Sequence, residues 1–205
     1  MPDFKNRWTQ DWTRLGLEGS DDWLARLLAS YAEPERHYHT QQHLAECMDL
    51  FDRVAHLAHR PGEVAIALWF HDVVYLPLAK DNEARSADWA CAALIEAGAG
   101  ADVCERVRAL IMATAHHAAP EDDDARLVVD IDLAILGADA ARFAEYEEQV
   151  RAEYAAVPED LFRQKRAELL ARFLERPAIY QTLELHARFE NQARANLRRA
   201  IEHAY

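Results

Sequence analysis

An imidazole and a carboxylate stand side by side in this sequence, His71-Asp72, inside the otherwise apolar run Ala67-Leu68-Trp69-Phe70-His71-Asp72-Val73-Val74-Tyr75. Burying such groups costs roughly 2–7 kcal/mol even for a neutral polar group, unless something pairs them. A divalent cation is one such partner, because neutral imidazole nitrogen and carboxylate oxygen both bind Zn, Fe or Mn. A second apolar run, Leu127 to Gly137, encloses Asp130 and Asp132. Three further histidines, His37, His39 and His43, fall within Arg36-His37-Tyr38-His39-Thr40-Gln41-Gln42-His43.

Helices must position these groups. Thr40 is a natural N-cap for a helix to about His59, with Leu44, Cys47, Met48, Phe51, Val54 and Leu57 at helical spacing. His43 then sits just inside the first turn, with His39 one turn earlier. Pro61 suits the start of the next helix, which is apolar nearly all round through Phe70 and therefore central. Neighbours on a helix point about 100° apart, so His71 and Asp72 share a ligand only if it lies near the helix end. By the same step Asp130 and Asp132 diverge, so at most one faces a cation, while the other caps a helix or binds backbone. Asp81-Asn82-Glu83 caps a helix through Ile95, closed by Gly98 and Gly100, and Asp102 caps another to His116-His117. In that helix the apolar stripe ending at Thr114 continues to His117, which places His116 at the rim.

Elsewhere, Phe4, Trp8 and Trp12 at four-residue spacing predict a short docking helix, and Ser20 caps a second that Pro34 stops. The loop from Ala118 to Ala125 holds Asp122-Asp123-Asp124, a solvated charge run on the usual reading. Gly137 closes its helix, and Asp139 caps the next. Amphipathic helices then follow to the C-terminus, interrupted at Pro158 and Pro177.

The chain has 205 residues, 51% of them hydrophobic and 29% charged, with only 6 Gly and 7 Pro. That predicts an all-α globular chain, read as one domain over 1–205: a metal-binding core about 36–137 with helices 139–205 packed on it. A formal charge of −13 opposes binding to nucleic acid polymers or anionic membranes. A small anion remains acceptable where a bound cation dominates. The three cysteines, Cys47, Cys91 and Cys104, read as buried small hydrophobes in a reducing compartment. The start lacks a signal-peptide core, and the longest apolar run, Val64 to Phe70, is too short to span a bilayer. A cytoplasmic protein is expected.

The ordered set of a histidine, an adjacent His-Asp pair and a distant Asp, here His43, His71, Asp72 and Asp132, resembles the HD superfamily of metal-dependent phosphohydrolases. The flanks carry the likeness further. Arg36 to His43, Trp69 to Tyr75, Asp81-Asn82-Glu83 with Ser86-Ala87, Asp132 to Gly137, and Arg194-Ala195-Asn196-Leu197 are similar to one bacterial branch of unassigned substrate. The resemblance implies an HD-type helical bundle around one divalent transition metal held by His43, His71, Asp72 and Asp132. A set of two His and two Asp accepts Mn, Fe, Co, Ni or Zn. It implies His39 as proton donor or substrate contact, and His117 or His116 where binuclear relatives place further histidines. A second metal is thereby admitted, although no extra histidine lies between His71 and His116.

The expected activity is hydrolysis of a phosphomonoester or phosphodiester of a small, nucleotide-like metabolite, with Asp72, His39 and His117 as catalytic residues. Arg36, Lys80 and Arg166 are candidate phosphate-binding cations. Glu83 reads equally as a general base or as a helix-start charge. Two other readings are a catalytically silent metal-binding regulatory module and an HD-type di-iron oxygenase. Exposed aromatics allow a homodimer.

Overall fold

A computed structural model describes residues 3–115 and 120–203, which fall into two compact units, 1–129 and 130–205. The described residues are helical, with no strand among them. Among the described residues ten α-helices run α1 (Phe4–Arg14), α2 (Asp21–Ser30), α3 (Gln41–Val54), α4 (Pro61–Phe70), α5 (Asn82–Glu96), α6 (Ala101–Thr114), α7 (Asp123–Asp132), α8 (Ala140–Glu153), α9 (Glu159–Leu174) and α10 (Leu183–His203). The expected all-α class is what the chain adopts. No helix of the described residues is long and apolar enough to cross a membrane.

In the first unit α4 has no wet face. Every residue from Gly62 to Phe70 is buried, Glu63 included, because α1, α3, α5 and α6 pack around it. The aromatic stripe of α1 supplies one wall. Phe4 and Trp8 meet the Trp69 ring at centroid distances of 5.7 and 5.3 Å, and Trp8 meets Phe70 at 6.0 Å. Trp23 of α2 lies edge-on to Trp89 of α5 and donates to Glu96. Asp11, on the inner face of α1, is fully buried and accepts from the Trp69 indole at 2.9 Å and from Arg14 at 2.6 Å.

Several helix starts behave as the sequence predicts. Ser20 accepts from the Asp22 amide, Thr40 from Gln42, and Asp139 from Ala141 and Arg142. Others differ. α3 ends at Val54 and tightens into a 3₁₀ turn over Ala55–Leu57. Asp81 makes no capping bond, and the cap of α6 is Gly100, with Asp102 paired to Arg106 instead. In the triple aspartate Asp122 and Asp123 are exposed, as a solvated run requires, but Asp124 is not. Asp122 accepts from the Ala125 amide, Asp123 pairs with Arg126, and Asp124 is buried. Asp124 accepts from the amides of His59 and Arg60 at 2.7 and 2.9 Å, thereby capping α4, whose own N-cap side chain makes no such bond.

In the second unit α10 packs on α9 and on the 3₁₀ turn Leu133–Gly137 that continues from α7. Two carboxylates hold the entry to α10. Asp130 accepts from the amides of Gln181 and Thr182, and Glu190 from those of Ile179 and Tyr180. Asp130 therefore follows the backbone-binding alternative. Asn196, fully buried, donates to the carbonyls of Leu136 and Ala138. Arg194 caps the end of α9 through the carbonyls of Leu174 and Arg176. Gly137 does more than end a helix: a β-carbon there would lie 2.6 Å from Phe189 Cβ and 2.9 Å from its backbone oxygen.

Gly137→Ala should therefore cost about 1–3 kcal/mol of stability in urea titration, since the clash is with backbone. Asp11→Ala should cost about 1–3 kcal/mol by leaving the buried Trp69 N–H without an acceptor, whereas Asp11→Asn keeps that bond and costs less. Burial raises the Asp11 carboxyl above its ordinary value, against the pull of Trp69 and Arg14. Its contribution to stability is thus full below about pH 3.9 and declines as pH rises through the folded pKa. Relative to Asp11→Asn, the native chain should lose stability over that rise, read by thermal melts at stepped pH.

Candidate metal centre

The C-terminal end of α4 delivers His71 and Asp72 into the interior, and the first turn of α3 presents His43 to the same point. Both imidazoles are buried, at 1% exposure each. Their Nε2 atoms stand 3.1 Å apart, and Asp72 Oδ2 lies 3.1 Å from that of His71 and 3.4 Å from that of His43. Two donors each about 2.1 Å from a shared cation are about 3.0 Å apart at a right angle and about 3.4 Å apart at the tetrahedral angle. The three separations match the edges of a coordination polyhedron, so these side chains fit a divalent cation.

The surrounding shell fixes how the donors point. His71 Nδ1 donates to the Leu68 carbonyl at 2.8 Å, which assigns the ring proton there and leaves Nε2 as the bare donor. Tyr31, buried, donates its hydroxyl to the Trp69 carbonyl and accepts from the Asp72 amide, both at 3.3 Å; burial pushes this phenol up to about 12. Ser86 accepts from the Val74 amide and donates to the Val74 carbonyl. Asn82 does the same for Leu76 through its side-chain amide. The motif residues of α5 are thus braces for the turn that follows the His-Asp pair.

Burial alone would raise the Asp72 carboxyl. The neighbouring His71 and His39 imidazoles outweigh it and hold the group well below the usual carboxylate range. It is an anion at neutral pH, as a ligand must be. His39 is half-buried and stacks on Tyr75 at a centroid distance of 3.8 Å and an interplanar angle of 25°. Its ring lies 5.9 Å from that of His43.

The two arginines expected at a phosphate are engaged elsewhere. Arg36 is no phosphate ligand here. Its side chain is 2% exposed, and the guanidinium is spent on Glu33, on the His39 carbonyl, and on the carbonyls of Asp72 and Val73 at 2.6 and 2.8 Å. Arg166, in the second unit, is committed to Glu147 and packs over the Tyr146 ring. Lys80 is exposed beyond the turn, and Glu83 is half-buried in the first turn of α5. Asp132 is half-buried in the last turn of α7, in the second unit. His116 and His117 lie outside the described residues.

One residue was missed as a site candidate. Cys47, buried one turn after His43, sets its Sγ 3.7 Å from both ring nitrogens of His43. His43, Cys47 and His71 each offer a ligand atom, all within 4.8 Å of one another. The i, i+4 spacing of His43 and Cys47 on one helix face was the available signal.

No family model matches the chain, and no curated protein or solved structure matches it.

Arg36→Lys replaces a planar fork by a point charge that cannot serve four acceptors. It should cost about 1.5–3 kcal/mol and speed amide exchange from Asp72 to Val74, read by urea titration and hydrogen-exchange mass spectrometry.

Proposed function

We propose that this chain is a metal-dependent phosphoric ester hydrolase of the HD type, acting on a small phosphorylated metabolite. The observation that carries the reading is the convergence of His43 Nε2, His71 Nε2 and Asp72 Oδ2, at 3.1–3.4 Å from one another, in a buried setting. The order of these residues along the chain agrees with the HD superfamily.

A divalent cation held by His43, His71 and Asp72 would supply Lewis-acid chemistry, lowering the pKa of water to about 7 and polarising a phosphoryl oxygen. The chain's own groups do the rest. Asp72, kept anionic by its histidine neighbours, accepts a hydrogen bond from the attacking water and so orients it. His71 stays fixed in one tautomer by Leu68, which keeps its bare nitrogen on the centre. His39, held flat against Tyr75 at the rim, gives a proton to the leaving alcohol oxygen. With Arg36 engaged on backbone, Lys80 is the expected side chain for a phosphate oxygen outside the centre.

A panel of phosphomonoesters and phosphodiesters, run with added Mn, Fe, Co, Ni, Zn or Mg, tests the proposal. Release of phosphate or alcohol by the native chain should fall by about a hundredfold or more in the double variant His71→Ala, Asp72→Ala, since even outer-shell losses at such centres cost about 10–100-fold. Equal rates for the two chains with every ester and every metal would remove the hydrolase reading.

A further inference from the structure

α3 carries more than one metal-competent side chain on its inner face. Cys47 follows His43 by one turn, is 3% exposed, and has its Sγ at 3.7 Å from both Nδ1 and Nε2 of that ring. A sulfur equidistant from the two nitrogens lies on the plane that bisects them, along neither lone pair. It therefore does not block the Nε2 donor direction. A sulfur about 2.3 Å and a nitrogen about 2.1 Å from the same cation stand about 3.6 Å apart at the tetrahedral angle. The 3.7 Å between Cys47 Sγ and His43 Nε2 matches that edge.

We propose that Cys47 is a sulfur ligand of the centre, and that the resident metal is therefore a thiophilic one, Zn, Fe or Co in the divalent state, in preference to Mn or Mg. The inference rests on the reading that His43, His71 and Asp72 hold a metal, and it narrows the class of ion they take. On binding, the thiol proton leaves to solvent and a sulfur lone pair forms the bond to the cation. No electron changes hands. Soft thiolate ligands select this class over the hard, oxygen-preferring ions. Cys91 and Cys104 serve as internal controls. They sit on α5 and α6, where Cys91 Sγ lies 3.5 Å from the Cys104 carbonyl and neither joins the histidine group.

The test uses the full chain, stripped of metal and titrated with cobalt(II) chloride, read by electronic absorption. The native chain, Cys91→Ser and Cys104→Ser should each show visible d–d bands together with an intense near-ultraviolet sulfur-to-cobalt charge-transfer band. Cys47→Ser should lose the charge-transfer band and keep the d–d bands. Its preference for Zn over Mn, measured by competition, should drop about tenfold or more. Cys47→Ala, which fills the same small apolar place, provides the same readout if serine misfolds. Native chain with d–d bands but no charge-transfer band overturns the sulfur ligand and leaves the metal centre standing. A charge-transfer band that persists without Cys47 also overturns it. Absence of cobalt binding overturns this inference and the metal-based hydrolase reading together.

Discussion

A helix with no wet face dictates the first unit. Because α4 is enclosed by four neighbours, whatever its sequence carries past the last turn is delivered inside, and here that is an imidazole and a carboxylate. Such groups persist in an apolar interior only when each polar atom has a partner. The chain provides them from several directions: the Leu68 carbonyl for one histidine nitrogen, Tyr31 for the Asp72 amide, Arg36 for the carbonyls of Asp72 and Val73, and Ser86 for both backbone groups of Val74. What points inward is a set of three ligand-competent atoms, His43 Nε2, His71 Nε2 and Asp72 Oδ2, at a spacing that fits a divalent cation. The enclosure of α4 and the chemistry of its end are thus parts of one constraint.

The same economy governs helix starts. Two of them are capped from far along the chain, α4 by Asp124 and the approach to α10 by Asp130. An acidic side chain near exposed amides gains from both hydrogen bonding and the helix dipole. Here that gain ties together segments distant in sequence within each unit. Gly137 complements it, since the missing side chain lets the backbone of Phe189 approach the 3₁₀ turn.

Local patterns told most where the partner is local. The aromatic stripe of α1, the Ser20, Thr40 and Asp139 caps, Pro61 at the head of α4 and the unbroken apolar run of that helix are all settled within a few residues, and they read correctly. The His-Asp pair was conspicuous for the same reason, as polar groups in an apolar run. Residues whose partners are set by packing were not legible. Arg36 looks like any surface cation until the backbone of residues 72 and 73 is brought beside it. Asp124 looks like one of three solvated acids until the N-terminus of α4 arrives. Cys47 resembles any small buried hydrophobe, because nothing in the sequence says which way the His43 ring turns.

The aromatic wall around α4 has a spectroscopic consequence. All five tryptophans, Trp8, Trp12, Trp23, Trp69 and Trp89, belong to residues 1–129, and none to residues 130–205. Indole emission therefore reports on one unit alone, whereas far-ultraviolet dichroism sums the helices of both. A denaturation followed in the two signals at once separates the melting of one unit from that of the whole chain, without a label or a single substitution.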